Sequence, residues 1–157
     1  MSLRICMIGC GAFARVCHGP AQRRCSVEDP TVELAGCCDP AAERAREYAG
    51  AFGFGRHYTD LPAMLTAERP DAVVVAVPPA MTCRIASLVL ERGIWVLIEK
   101  PPGMTTAELG QLTAAAEKAA ETRRLPSTAA TCQSCARRGK FSTPNFIVRP
   151  WRGLNTE

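Results

Sequence analysis

Short apolar runs recur along the first hundred residues, and stretches with helical spacing separate them. The runs are residues 3–8 (LRICMI), 32–38 (VELAGCC), 72–77 (AVVVAV) and 94–98 (IWVLI), with a shorter strand expected at 56–58. The third run is nearly all β-branched and shows no polar alternation, the mark of a strand covered on both faces in a parallel sheet. Helices are expected at 12–21, 40–49, 61–67, 82–91 and 105–121. Pro20 should kink or end the first, leaving 26–30 as a loop. Gly50, Gly53 and Gly55 should break the second. Asp60 should cap the third, and Gly93 should close the fourth. Thr105 and Glu108 have capping-box spacing for the last. Strand and helix alternate throughout, which specifies an α/β fold with a doubly wound parallel sheet.

The first run leads directly into Gly9-Cys10-Gly11-Ala12-Phe13-Ala14. This is Gly-x-Gly-x-x-Ala, a dinucleotide-binding fingerprint placed between a strand and a helix. Gly9 permits the tight turn out of the strand. Gly11 has no Cβ, so a pyrophosphate can approach the backbone. Ala14 is small enough for close helix–strand packing. The free N–H groups of the helix's first turn then face the phosphates. The five residues Gly9, Gly11, Ala12, Phe13 and Ala14 are therefore candidate cofactor contacts. Asp39 ends the second strand, 25 residues after Ala14, where a carboxylate can accept hydrogen bonds from both hydroxyls of an adenosine ribose. Its charge would repel a 2′-phosphate, so NAD is expected over NADP, with nearby Arg44 softening the preference. Asp39 can also serve as the N-cap of the following helix. His18, alone on its helix, reads as a structural residue.

Charge and composition narrow the classes. Residues 1–121 hold 12 Lys/Arg against 14 Asp/Glu, whereas residues 122–157 hold 7 against 1. The basic excess lies wholly in the tail, so the expected folded part carries no footprint for nucleic acid. No run of eighteen apolar residues occurs, and no membrane span is expected. The first strand begins at residue 3 and leaves no room for a targeting peptide, so a cytoplasmic location is expected. Nine cysteines are present, an odd number, and several fall within expected strands and helices. They read as small buried apolar residues. Cys132 and Cys135 form a Cys-x-x-Cys without a second ligand pair, and no metal site is expected.

Taken together, the fingerprint, Asp39, Val77-Pro78-Pro79 after the fourth strand and Glu99-Lys100-Pro101 after the fifth make the chain resemble the glucose–fructose oxidoreductase / inositol dehydrogenase / MocA family of NAD(P)-dependent oxidoreductases. The Glu-Lys-Pro triplet is the most specific of these, and the resemblance covers residues 3–121. It implies a Rossmann-type domain that binds a nicotinamide dinucleotide for hydride transfer to or from a sugar or polyol. It assigns Lys100 a catalytic place near the nicotinamide, with Glu99 and Pro78 as further cofactor contacts. It also implies a cis Lys100–Pro101 bond. Relatives commonly carry a His in the loop after the fourth strand, where this chain has Thr82.

The resemblance further implies a substrate domain, and residues 122–157 show no pattern for one. They are rich in Arg, Ser, Thr and Pro and read as an irregular basic tail, with Phe146-Ile147-Val148 the only strand-like fragment. The expected fold is thus the Rossmann sheet with the substrate domain absent. With permissible codons, residues 126–133 read one nucleotide earlier can encode AFNRRYMP, similar to a string that relatives carry after this helix. A shifted reading frame would make the tail and its Cys-x-x-Cys accidental. The expected function is cofactor binding without efficient turnover. Alternatives are a stand-alone regulatory module that binds NAD, or a non-functional product that self-associates through the face that a second domain would cover.

Overall fold

The computed structural model describes residues 2–122 and 146–148. Its centre is a six-stranded sheet of order β3-β2-β1-β4-β5-β6. The strands are β1 (Leu3–Ile8), β2 (Val32–Cys38), β3 (Arg56–Tyr58), β4 (Ala72–Val75), β5 (Trp95–Ile98) and β6 (Phe146–Val148). The first five run parallel, and β6 lies antiparallel on β5, pairing Val148 with Val96 and Phe146 with Ile98. The fragment 146–148 is therefore a strand and not irregular tail. Its β-branched and aromatic residues suit a strand, and it satisfies the backbone groups along the outer edge of β5. Cys132, Cys135 and the rest of the proposed frame-shifted tail lie outside the described residues.

Successive strand residues point to opposite faces, and each face has its own core. Cys6, Ile8, Val73, Val75, Val96 and Ile98 pack under helices α3 (Leu61–Glu68), α4 (Pro79–Leu90) and α5 (Thr106–Thr122). Met7, Leu34, Cys37 and Val74 pack with Ala14, Tyr48 and Ala49, the last two from α2 (Ala42–Phe52). Val73, Val74 and Val75 are all buried, as the unbroken apolar run requires. Removing each of those side chains from water contributes about 1.5–3 kcal/mol. The cysteines follow the same logic: Cys6, Cys10, Cys37, Cys38 and Cys83 are buried free thiols, and Cys17 is exposed.

Helix boundaries depart from the sequence reading wherever proline or glycine decided it. The first helix does not end at Pro20. A π-turn over Ala14–His18 leads into α1 (Gly19–Glu28), closed by Gly19 N–H donating to the Ala14 carbonyl. Pro20 thereby falls in the first turn of α1, where its missing N–H costs nothing. Residues 26–28 are helical for the same reason. Pro79 likewise begins α4 rather than only ending β4, so that helix starts three residues earlier than expected. The second helix starts two residues later, at Ala42, and runs through Gly50 to Gly53, whose φ of 82° makes the left-handed cap. The β4 strand stops at Val75. Elsewhere the capping signals hold. Ala63 N–H donates to Asp60 Oδ1 at 2.7 Å, and Glu108 N–H donates to Thr105 Oγ1 at 3.2 Å.

Two glycines are fixed by crowding. A Cβ on Gly9, which has φ +90°, would lie 2.2 Å from the Ala76 carbonyl oxygen. A Cβ on Gly19 would lie 2.4 Å from the Phe52 ring, itself packed 4.6 Å from Tyr48. Gly11 differs, since a Cβ there meets no protein atom within 4 Å. Gly9→Ala is expected to destabilise the chain by about 3 kcal/mol, whereas Gly11→Ala stays within about 1 kcal/mol of the parent. Urea denaturation of the two variants separates them. Gly19→Ala is expected to lose about 1–3 kcal/mol, part of which Phe52→Leu should restore in the double variant by the same measurement.

Candidate functional site

The site lies where four parallel strands end in one row. Cys38, Ile8, Val75 and Ile98 are register partners across β2, β1, β4 and β5. Beyond them the ladder continues one step. Gly9 N–H donates to the Cys38 carbonyl at 2.9 Å, Ala76 N–H to Ile8 at 2.9 Å, and Glu99 N–H to Val75 at 3.0 Å. The next residues on each strand are thus level: Asp39, Gly9, Ala76 and Glu99. Strand order reverses between β1 and β4, so a crevice opens there, the usual ligand position in such sheets.

Each residue singled out in the sequence can now be placed. Gly9 makes the turn, and Gly11 stands at the helix entry, with Arg15 N–H donating to its carbonyl at 3.0 Å. Ala12 and Phe13 are exposed beside it, whereas Ala14 points down into the core. Pro78 is exposed and caps α4. Lys100 is exposed at the lip after β5, and its bond to Pro101 is cis, as the resemblance implied. Thr82 turns inward, buried, with its hydroxyl 3.4 Å from the Pro78 carbonyl.

Asp39 is the most constrained of the set. It is 4% exposed and ties three segments together. Oδ2 accepts from Cys10 N–H at 3.0 Å. Oδ1 accepts from Ala41 N–H at 2.9 Å and from both Arg44 Nε (3.1 Å) and Nη2 (2.9 Å). Asp39 therefore precedes α2 as an Asx-type turn, and Ala41 occupies the N-cap position itself. Burial alone would raise its carboxyl. The N–H donors of Ala41 and Cys10 and the Arg44 guanidinium outweigh that and hold it below the usual carboxylate range. The carboxylate is anionic at neutral pH, and Arg44 offsets its charge while keeping an exposed guanidinium.

Behind the turn, the Cys10 thiol faces the Cys38 carbonyl at 3.8 Å and the Cys37 thiol donates to the Ala45 carbonyl at 3.3 Å; the interaction between the two neighbouring thiols lowers Cys37 and raises Cys10. One residue here, His18, reads from the sequence as structural, with no partner assigned to it. His18 is buried, with Nε2 2.8 Å from Glu99 Oε1. A buried histidine at i+4 from the buried Ala14, on the helix that opens at the fingerprint, was the available signal.

These residues fit a dinucleotide. Gly11 leaves its backbone approachable, the helix start supplies free N–H donors, and Asp39 presents an anionic acceptor one strand away. The fit agrees with comparisons to known proteins. Residues 3–124 match the model of the Gfo/Idh/MocA oxidoreductase family, NAD-binding Rossmann fold. The chain is 34% identical over 113 residues to D-apiose dehydrogenase of Paraburkholderia graminis, covering 72% of this chain and 29% of that protein. Among solved structures, it is similar to GenD2 from gentamicin A biosynthesis in complex with NAD. There the identity is 31% and the TM-score 0.65, covering 75% of this chain and 32% of that one. It is also similar to KijD10, a 3-ketoreductase from Actinomadura kijaniata in complex with NADP. That match has 26% identity and a TM-score of 0.68, over 76% of this chain and 35% of that one. The chain spans about a third of the length of these proteins. With its fingerprint, its Asp39 and its Glu-Lys-Pro triplet set along one sheet edge, this chain belongs to the Gfo/Idh/MocA oxidoreductase family, as its NAD(P)-binding Rossmann domain.

Proposed function

We propose that these residues bind NAD in preference to NADP and serve hydride transfer to or from a sugar or polyol. The observation that carries the reading is the row of strand ends, which sets an open glycine turn between an anionic acceptor on β2 and a lysine on β5. When bound, the cofactor supplies a nicotinamide ring that exchanges hydride.

The chain's own residues do the rest. Gly9 and Gly11 bring the backbone N–H groups of the helix entry to the pyrophosphate, beside Ala12 and Phe13. Ala14 holds that helix against the sheet. Asp39 accepts from the adenosine ribose hydroxyls. Pro78 and Glu99 line the far side of the crevice. Lys100 places a cation at the reacting end, where it stabilises the alkoxide form of a substrate hydroxyl. Holding the substrate itself in near-attack geometry needs further groups, so cofactor binding by the 157 residues is expected to far exceed their turnover.

Arg44 sets the cofactor preference. Its Nε and Nη2 both donate to Asp39 Oδ1, and the Arg44 side chain stays over half exposed, within reach of a 2′-phosphate. Asp39 still repels that phosphate, so NADP is the weaker ligand.

Titration calorimetry with NADH and NADPH tests the reading. The parent chain should bind both, NADH more tightly, and Gly11→Val should abolish binding without lowering the melting temperature. Absence of binding by either nucleotide would refute the assignment. Arg44→Ala is expected to weaken NADPH about tenfold more than NADH, the size of one charge-assisted hydrogen bond; equal loss of both would remove Arg44 from the discrimination.

A further inference from the structure

A dinucleotide seated with its pyrophosphate on the β1 turn and its adenosine toward Asp39 on β2 must extend its other half over β4 and β5. Three strand steps of about 4.8 Å separate β2 from β5. The nicotinamide half therefore arrives at Glu99 and Lys100. Glu99 sits level with Gly9 in the row of strand ends, and its backbone is fixed by its bond to the Val75 carbonyl. Its side chain is mostly buried, and one oxygen, Oε1, lies 2.8 Å from His18 Nε2. Among the described residues Oε2 has no hydrogen-bond or ion-pair partner.

His18 is an unusual neighbour to find there. It is 7% exposed, on the far side of the glycine turn in sequence, at the last position of the π-turn. Such turns break helical register by one residue and recur at functional sites. Phe13 stacks edge-on against the imidazole, with ring centroids 5.8 Å apart at 69°. Gly19, the next residue, is locked against Phe52. The imidazole is thus held between the Phe13 ring and Glu99. Its Nε2 is fully shielded, and although close to Oε1 it is not aligned for a hydrogen bond; it has no such partner among the described residues. A shielded polar atom in that condition costs stability. A small rotation of the Glu99 carboxylate, drawn by a donor on its other oxygen, would bring the two groups into line.

We propose that His18 is a positioning residue for the nicotinamide half of the cofactor: it holds Glu99 so that Oε2 accepts a hydrogen bond from a ribose hydroxyl of that half. The inference rests on the dinucleotide reading above, and adds a link from the fingerprint helix to the Glu-Lys-Pro segment. Adenosine-side contacts play no part in it. The prediction is therefore selective, since ADP carries the adenosine and the diphosphate but neither the second ribose nor the nicotinamide.

Calorimetry on the full chain with NADH and ADP is the test. His18→Ala should weaken NADH about tenfold and leave ADP within twofold. Glu99→Gln should do the same, and the double variant should be no weaker than either single one. His18→Gln, whose amide can still donate to Oε1, should recover most of the loss. Equal weakening of both ligands would assign His18 a packing role only, and unchanged NADH affinity would likewise overturn the proposal. Should the alanine variant not fold, the parent chain decides through its imidazole NMR signals, because only His18 and His57 are present and His57 is exposed on β3. The His18 signal should move on adding NADH and stay put with ADP; movement with both, or with neither, counts against the proposal. If the parent binds ADP but its NADH affinity is insensitive to His18, this inference fails and the cofactor reading stands. If the parent binds neither ligand, both fall together.

Discussion

Everything at the site depends on the parallel ladder being carried one residue beyond the strands. In a parallel sheet all strands finish at the same edge, and the groups that leave them there are level only if the register is kept to the last bond. Here it is kept, by the amides of Gly9, Ala76 and Glu99. Gly9 can occupy its place only as glycine, because its φ is positive and the Ala76 carbonyl leaves no room for a side chain. A backbone constraint inside the fold therefore fixes the position of a turn whose neighbour, Gly11, has no such constraint. The two glycines of the fingerprint differ: the protein itself demands Gly9, whereas no atom among the described residues crowds Gly11.

The Asp39 carboxylate serves structure first. It joins the glycine turn through Cys10 and the start of α2 through Ala41, so it would be needed even without a cofactor. The hydrogen bonds that do this also keep it ionised in a buried place. Arg44 then moderates its field toward solvent. Relatives of this chain have been seen with NAD in one case and NADP in another, and a paired acid and base at the end of β2 is a physical basis on which small changes could shift a preference for charge.

Much of this was legible in the sequence. The strands, the fingerprint, Asp39 and the Glu-Lys-Pro triplet all announce themselves through period, spacing or a specific string. What misled was punctuation. Pro20 was read as a kink or an end, whereas it lies in the first turn of α1; Pro79 proved to open α4, and Gly50 was read as a break inside a helix that packing holds intact. Propensity is local, and tertiary contacts override it. The contact of His18 with Glu99 joins residues 81 positions apart, and no local pattern encodes that distance. The strand at 146–148 showed in its composition, but its partner did not.

A π-turn holds one residue more than an α-helical turn. Between Gly11 and Gly19 that extra residue sets a phase. Upstream, the helix must present its first amides to the crevice; downstream, Gly19 must meet Phe52. Deleting one residue between them would leave a longer regular helix, yet it would rotate one end against the other by about 100°, the angle per residue. Pro20 would then stand in a helix interior, facing a carbonyl it cannot bond. Length in this segment is consequently less tolerant of change than identity: the exposed positions Val16 and Cys17 are open to substitution, while their number is not.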